Sequence, residues 1–105
     1  MAEVGLFSPG KIGRATVRNR LMMSLFPAGL ARDSFVTDAM SAFYRARAGG
    51  GVGLIVVENP PLNYPFDHKG GHQFRIDDSR FHDRARKFCD ELRADGARVF
   101  VQLAY

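Results

Sequence analysis

The side chains best suited to chemistry follow three short apolar runs of this 105-residue chain. The carboxyl ends of these runs are Ser24–Pro27, Glu58–Asn59 and Gln102–Tyr105. In parallel α/β folds, ligands collect at the carboxyl ends of the strands, where loops vary without disturbing the core. The amide of a glutamine can both donate and accept hydrogen bonds, as the polar edge of a bound heterocycle requires. A ligand is therefore expected at these three ends, with Gln102 suited to its polar edge.

Other combinations of reactive side chains are less well supported. His68 and His72, with Asp67, could ligate a metal, but no predicted helix holds the two histidines on one face and no cysteine supports them. We therefore predict no metal site. Cys89 is the only cysteine, so it cannot form an intramolecular disulfide, and its apolar helical setting indicates a packed, inert thiol. No Ser-His-Asp or paired-carboxylate spacing is present, and we predict no catalytic residue in this chain.

The glycine-rich segment 49–53 has the wrong position for a phosphate loop. A dinucleotide-binding fingerprint follows a strand and opens a helix, whereas these glycines follow a predicted helix and open a predicted strand. We interpret them as the end of the helix and a close turn.

The elements that must position the candidate residues are three strands and two helices. Apolar runs predict strands at Arg20–Leu25, Gly53–Glu58 and Ala97–Leu103, and the continuous runs of the first two indicate burial on both faces. Pro27 and Pro60 end the first two runs, since proline has no amide hydrogen for a strand ladder. Turn residues in 6–19 predict a small hairpin before the first strand.

The helices are recognised by their caps and apolar stripes. Thr37 is expected to cap a helix that runs to about Ala48, and Asp78 or Ser79 to cap a second helix that Gly96 ends. Their core-facing positions recur at helical spacing, namely Met40, Phe43, Tyr44 and Arg47 in the first helix and Phe81, Ala85, Phe88 and Leu92 in the second. Strands alternating with such helices predict a parallel sheet, and the periodicity fits both a barrel and a doubly wound sheet.

Composition excludes few functions. The net charge of +4 could suit a polyanion, but the basic residues are scattered and those of the second helix alternate with acidic ones. This pattern is typical of a solvated helix face, and we expect no nucleic-acid partner. No segment approaches the roughly 20 apolar residues needed to span a bilayer, and the N-terminus lacks the apolar core of a secretory signal. We therefore expect no membrane partner and a cytoplasmic location.

Four phrases of the sequence carry a family resemblance, namely LFSPGKIG, VRNRLMM, GGGVGLIVVE and DGARVFVQL. Between Leu6 and Leu103 the chain resembles the N-terminal portion of the old yellow enzyme family of FMN-dependent oxidoreductases, and in particular its dienoyl-CoA reductase-like members. The resemblance implies an α/β fold that is the N-terminal part of a (β/α)8 TIM barrel, with about three βα units after a hairpin that plugs the barrel bottom. Residues 1–105 would then be an incomplete FMN-dependent oxidoreductase domain.

The resemblance also implies roles for individual residues in binding FMN. It implies that the segment after the Asn-Arg phrase places its backbone against the flavin, that Asn59 lies near the ring and that Gln102 bonds its pyrimidine edge. The residues of that first segment are Ser24, Leu25, Phe26 and Pro27. Pro27 stands where many family members carry Thr or Cys, and Tyr105 replaces a histidine of the family motif. Without the resemblance, Leu25 and Phe26 would be read as core residues and Gln102 as a residue that satisfies a strand end.

The implied activity belongs to a longer protein. Family members pass a hydride from NAD(P)H through the flavin to an activated C=C bond of a small-molecule substrate, of enoate or dienoyl-CoA type. Their substrate-holding residues, proton donor and FMN phosphate site lie on later strands, and larger members add a 4Fe-4S cluster beyond the barrel. This chain alone is therefore expected to be inactive. The alternative is a truncated, non-catalytic module that binds partners or forms a homo-oligomer through open strand edges.

Overall fold

The chain begins with the predicted hairpin. The computed structural model describes residues 3–105, in which β1 (Gly10–Ile12) and β2 (Ala15–Val17) pair antiparallel with Gly10 opposite Val17. Gly13 opens the turn between them with φ 59°, a conformation that glycine adopts without strain.

The remaining strands form one parallel sheet, as predicted. β3 (Met22–Met23), β4 (Leu54–Val57) and β5 (Arg98–Val101) lie in the order β3-β4-β5, and Met23, Ile55 and Val99 are aligned across it. The strands are shorter than the sequence predicts. Regular pairing of β4 with β5 ends at Val57 and Val101, and an isolated bridge between Pro61 and Ala104 follows it. β3 is paired on one side only within residues 3–105.

The two helices begin where their capping residues predict. α1 (Asp38–Gly49) is capped by Thr37, whose hydroxyl accepts from the Met40 amide at 3.1 Å. Asp78 caps a 3₁₀ turn (Ser79–Phe81) that leads directly into α2 (His82–Ala94), with its carboxylate accepting from the Arg80 amide at 2.9 Å. Gly96, at φ 98°, follows the end of α2. No helix in the described part of the chain is long and apolar enough to cross a membrane.

The core lies between the helices and one face of the sheet. Its largest fully buried side chains come from both layers, namely Met40, Tyr44, Ile55, Val57, Phe88 and Leu92. The rings of Tyr44 and Phe88 meet edge to face at 5.3 Å between centroids. Arg47, predicted on the core face, is instead exposed, because its guanidinium packs over the ring of Phe43 and leaves the charge in water.

The prediction of strands buried on both faces is confirmed for β4, where only Val56 is half-buried, and is wrong for β3 within residues 3–105. Met22 on β3 is 57% exposed and Phe100 on β5 is 39% exposed, and both lie on the face opposite the helices. No helix within residues 3–105 covers this face. In a closed barrel, side chains on the corresponding face pack against one another in the interior, so its apolar character fits an incomplete barrel.

The segment before β3 joins the ends of both helices to the sheet. The guanidinium of Arg18 donates to the carbonyls of Asp95 and Ala48, which belong to the C-terminal ends of α2 and α1, and to that of Val52. Asn19 donates to the Gly51 carbonyl and accepts from the Leu21 amide. The strands therefore start from a fixed position at the end of the sheet opposite the candidate residues.

Candidate functional site

The three chain segments that carry the candidate residues lie at one edge of the sheet. Each continues directly from the carboxyl end of β3, β4 or β5, and the three strands are parallel neighbours. The segments after β4 and β5 stay hydrogen-bonded beyond the strands, since the Gln102 amide donates to the Val57 carbonyl at 3.2 Å and the Ala104 amide donates to the Pro60 carbonyl at 2.9 Å. We call this region the carboxyl edge.

The candidate residues differ in how accessible they are at this edge. Ser24, Phe26, Pro27 and Gln102 are exposed, whereas Leu25 and Asn59 are half-buried. Within residues 3–105 Phe26 does not belong to the core, since its side chain is 55% exposed and its ring stacks on Phe43 with 6.1 Å between centroids. The backbone of Gln102 completes the strand end through its amide hydrogen, and its side-chain amide reaches solvent.

A cleft of about 200 Å³ opens at the carboxyl edge between two loops. It is lined by residues of the loop after β3 and of the long loop after β4, namely Pro27, Gly29, Glu58, Asn59, Lys69, His72 and Gln73. Gln73 is buried and holds the long loop in place, because its side-chain nitrogen donates to the Asn59 carbonyl and its side-chain oxygen accepts from the Lys69 amide. The cleft thus has polar walls and lies directly beside two candidate residues.

Both loops are tied to each other at Ser34. Its amide donates to the Gly71 carbonyl at 2.8 Å, its carbonyl accepts from the Arg75 amide at 3.0 Å, and its hydroxyl lies 3.0 Å from Nε2 of His68. Asp33 and Ser34 both have positive φ, at 50° and 66°, which non-glycine residues adopt only when surrounding contacts hold them. The loops around the cleft therefore form one supported unit.

Arg75 anchors the far end of the long loop. Its guanidinium lies 3.4 Å from the ring centroid of Tyr64 and 4.8 Å from that of Phe81, and it bonds both carboxylate oxygens of Asp77 at 2.8 and 2.7 Å. This bidentate contact lowers the pKa of Asp77 below its ordinary value. Sequence reasoning missed this cluster, because nothing local indicates that a loop arginine is sandwiched between aromatic rings.

Glu58 is the buried acidic residue at the carboxyl edge, and it too was missed as a functional residue. One carboxylate oxygen accepts from the Tyr44 hydroxyl at 2.9 Å and the other accepts from the Gly29 amide at 3.4 Å. The Tyr44 hydroxyl also accepts from the Glu58 amide at 3.2 Å. Burial is the largest cause that raises the pKa of Tyr44 above its ordinary value. A tyrosine on the apolar face of a helix was the available signal, since a buried hydroxyl needs a partner.

The other reactive side chains considered from sequence do not come together. His68 contacts Ser34, His72 lies beside Gly29 and Gly70, and Asp67 accepts from the Asn63 amide. No group of three or more potential metal ligands is present among residues 3–105. Cys89 is half-buried, and burial raises the pKa of its thiol, in agreement with the interpretation of a packed, unreactive side chain.

Three parallel strands joined by helices, with a hairpin before them, are the N-terminal part of a (β/α)8 barrel. The chain belongs to the NADH:flavin oxidoreductase / NADH oxidase family, whose family model matches residues 5–105. The predicted family and fold class are both confirmed.

Individual relatives agree with this assignment. The chain is 40% identical over 98 residues to a metal reductase of Desulforamulus reducens and 36% identical over 99 residues to an NADH oxidase of Thermoanaerobacter brockii. In each case 93% of this chain is covered, but the chain spans only 14% and 15% of the length of those relatives. The old yellow enzyme from Pichia sp. AKU4542 superimposes with a TM-score of 0.84 at 25% identity, over 93% of this chain and 25% of that structure.

Proposed function

We propose that this chain supplies one edge of an FMN site in an oxidoreductase that reduces activated C=C bonds with NAD(P)H. The observation that carries the proposal is the convergence of the segments after β3, β4 and β5 at one edge of a parallel sheet. The residues proposed to contact FMN are Ser24, Leu25, Phe26, Pro27, Asn59 and Gln102. The substrate is proposed to be a small molecule of enoate or dienoyl-CoA type.

The chemical character of the carboxyl edge supports FMN as the ligand. A flavin ring has an apolar face and a polar edge that both donates and accepts hydrogen bonds. The exposed ring of Phe26 offers apolar surface, and the exposed amide of Gln102 can donate and accept. When bound, FMN supplies the hydride transfer that protein side chains cannot perform. The role of these residues is to bind and orient the ring.

Pro27 limits what the chain can contribute at its position. Proline has neither an amide hydrogen nor a polar side chain, so it cannot donate a hydrogen bond to the flavin. It can only shape the backbone that approaches the ring. We therefore assign Pro27 a steric role, and we assign proton donation and substrate holding to strands beyond this segment.

The small share of each relative's length that this chain spans supports a protein longer than 105 residues. The aligned segment makes up 14–15% of the two bacterial relatives but 25% of the Pichia structure, so those relatives are longer than an old yellow enzyme chain. An additional domain that holds a 4Fe-4S cluster is consistent with that extra length. We propose that residues 1–105 hold no part of such a cluster and that the protein is cytoplasmic.

The proposal is tested on the protein expressed from its own reading frame, including whatever the frame encodes beyond Tyr105. We expect it to purify with one FMN per chain and to oxidise NADH or NADPH when an enone or a dienoyl-CoA is added. Absence of flavin after reconstitution with excess FMN would refute the proposal. Residues 1–105 expressed alone should not hold stoichiometric FMN, because three strands supply only part of the site.

The second candidate function is self-association without catalysis. Its support is the two open edges of the sheet within residues 3–105, β3 and β5, with exposed apolar side chains on or just after these strands. These are Met22, Phe100, Val101 and Leu103, which are 57%, 39%, 37% and 52% exposed. Apolar strand edges readily pair with other chains. Sedimentation of residues 1–105 separates the two candidates, since a discrete folded oligomer without flavin favours association and an aggregating chain favours a segment of a larger barrel.

A further inference from the structure

Glu58 occupies a position that packing alone does not explain. It is 4% exposed and immediately precedes Asn59, so its carboxylate lies beneath the surface of the carboxyl edge. Burying a carboxylate is unfavourable unless hydrogen bonds compensate for the lost water, and an apolar residue of similar size often stabilises a fold as well or better. The hydrogen-bond partners of the carboxylate therefore indicate what it does.

The two carboxylate oxygens connect different elements. One accepts from the hydroxyl of Tyr44 on α1 at 2.9 Å, and the other accepts from the amide of Gly29 in the loop after β3 at 3.4 Å. The Tyr44 hydroxyl accepts in turn from the Glu58 amide at 3.2 Å, so the backbone and side chain of Glu58 are both fixed by one phenol. The second oxygen remains available to the Gly29 amide.

The Gly29 contact fixes the segment that precedes it. The Ala28 amide donates to the Phe26 carbonyl at 2.9 Å, which closes a tight turn around Pro27. Gly29 follows with φ 70°, and its amide hydrogen points to the Glu58 carboxylate. The turn is thus closed within itself and attached to β4 through one hydrogen bond.

We propose that Glu58 is a positioning residue for FMN at the carboxyl edge. Through its hydrogen bond to the Gly29 amide, Glu58 holds the Phe26–Gly29 turn against Asn59. This inference rests on the proposed function, because the turn matters only if it faces FMN. Glu58 itself does not touch the ring. Tyr44 occupies the other carboxylate oxygen, so its loss leaves the Gly29 contact in place.

Two variants separate this role from simple stabilisation. Glu58→Gln keeps the size of the side chain but offers Gly29 either a neutral carbonyl oxygen or an amide nitrogen, so the Gly29 amide loses its bond to a charged acceptor in either orientation. Tyr44→Phe removes the hydroxyl but leaves both carboxylate oxygens for Gly29. Asp90→Asn is the matched control, because it removes a carboxylate from the exposed surface of α2.

The experiment measures the Kd for FMN and the exchange rate of the Gly29 amide in the protein from its own reading frame, with the free energy of unfolding as a reference. We expect Glu58→Gln to raise the Kd about tenfold and to speed Gly29 exchange by a similar factor, since a hydrogen bond to a charged group is lost. Tyr44→Phe should raise the Kd less than about threefold for a comparable loss of stability. Asp90→Asn should change neither quantity.

The outcomes that would overturn the inference are distinct from failure of the proposed function. Wild-type protein that binds no FMN refutes the proposed function. Wild-type protein that binds FMN, with Glu58→Gln leaving Gly29 exchange and the Kd unchanged, refutes the positioning role alone. A Kd that rises in strict proportion to lost stability in both variants also refutes the positioning role, because Glu58 would then only support the fold.

Discussion

Replacing Gly53 with alanine should separate the start of β4 from the segment that leads into β3. A Cβ at Gly53 would lie 2.4 Å from the Asn19 carbonyl oxygen and 2.8 Å from its side-chain oxygen, both far inside van der Waals contact. Gly53 is buried, its amide donates to the Leu21 carbonyl, and its carbonyl accepts from the Arg98 amide. The residue therefore cannot move away without breaking contacts on both sides.

The expected loss of stability follows from these contacts. Overpacking a well-packed site costs about 1–3 kcal/mol. Moving Asn19 away would also break its bonds to Gly51 and Leu21, at about 1 kcal/mol for each hydrogen bond. We therefore expect Gly53→Ala to lower the free energy of unfolding by about 3 kcal/mol or more.

The matched control for this prediction is Gly49→Ala. Gly49 ends α1, and a Cβ there would meet nothing within 4 Å. Alanine at this helical position should leave stability unchanged or raise it by up to about 1 kcal/mol, since it restricts the unfolded chain. Urea titration followed by circular dichroism measures both variants. If the free energy of unfolding of Gly53→Ala lies within about 0.5 kcal/mol of that of Gly49→Ala, the packing argument is refuted.

Three further predictions concern other parts of the fold. Arg18→Lys should lower the free energy of unfolding by about 1–3 kcal/mol in urea titrations, because the donors of an ammonium group leave one nitrogen, whereas the guanidinium reaches the three carbonyls through two separate nitrogens. Unchanged stability would contradict this role of Arg18. Because the pKa of Asp77 is lowered, its pair with Arg75 stabilises the fold above the ordinary carboxyl pKa, and this contribution disappears as the pH falls through the lowered pKa. Asp77→Asn should therefore reduce the difference between the urea midpoints at pH 7 and at about pH 3. An equal difference in wild type and Asp77→Asn would contradict this prediction. Cys89 should react with a thiol reagent at pH 7.5 at least about tenfold more slowly in native than in urea-unfolded protein, because burial raises its pKa; equal rates would show that the thiol is accessible.

Local sequence patterns were sufficient for the elements and their order. Thr37 and Asp78 mark the starts of helical structure, because a side-chain oxygen that satisfies free amides acts within three residues. Leu92 and Phe88 are buried because the apolar stripe of α2 has helical spacing. The placement of candidate residues after the strands followed from the same logic.

Features that depend on distant contacts could not be read from the sequence. Glu58 and Tyr44 are fourteen residues apart, and their contact exists only once α1 packs on β4. The contacts of Arg18 span up to 77 positions. The burial of both strand faces was predicted from apolar runs, but exposure of Met22 depends on which layers cover the sheet, and no local pattern contains that information.

The central claim is that the carboxyl edge holds the ring of FMN. Titration of Gln102→Ala with FMN, in the protein expressed from its own reading frame, tests this claim most directly. Gln102 is exposed, so the substitution should leave the fold intact, and Lys87→Ala on the exposed surface of α2 serves as the control. Loss of a hydrogen-bonding amide at the ring edge should weaken binding about tenfold in Gln102→Ala and leave Lys87→Ala at the wild-type Kd. Equal Kd values for wild type and Gln102→Ala, with FMN bound in both, would contradict the placement of the flavin at this edge.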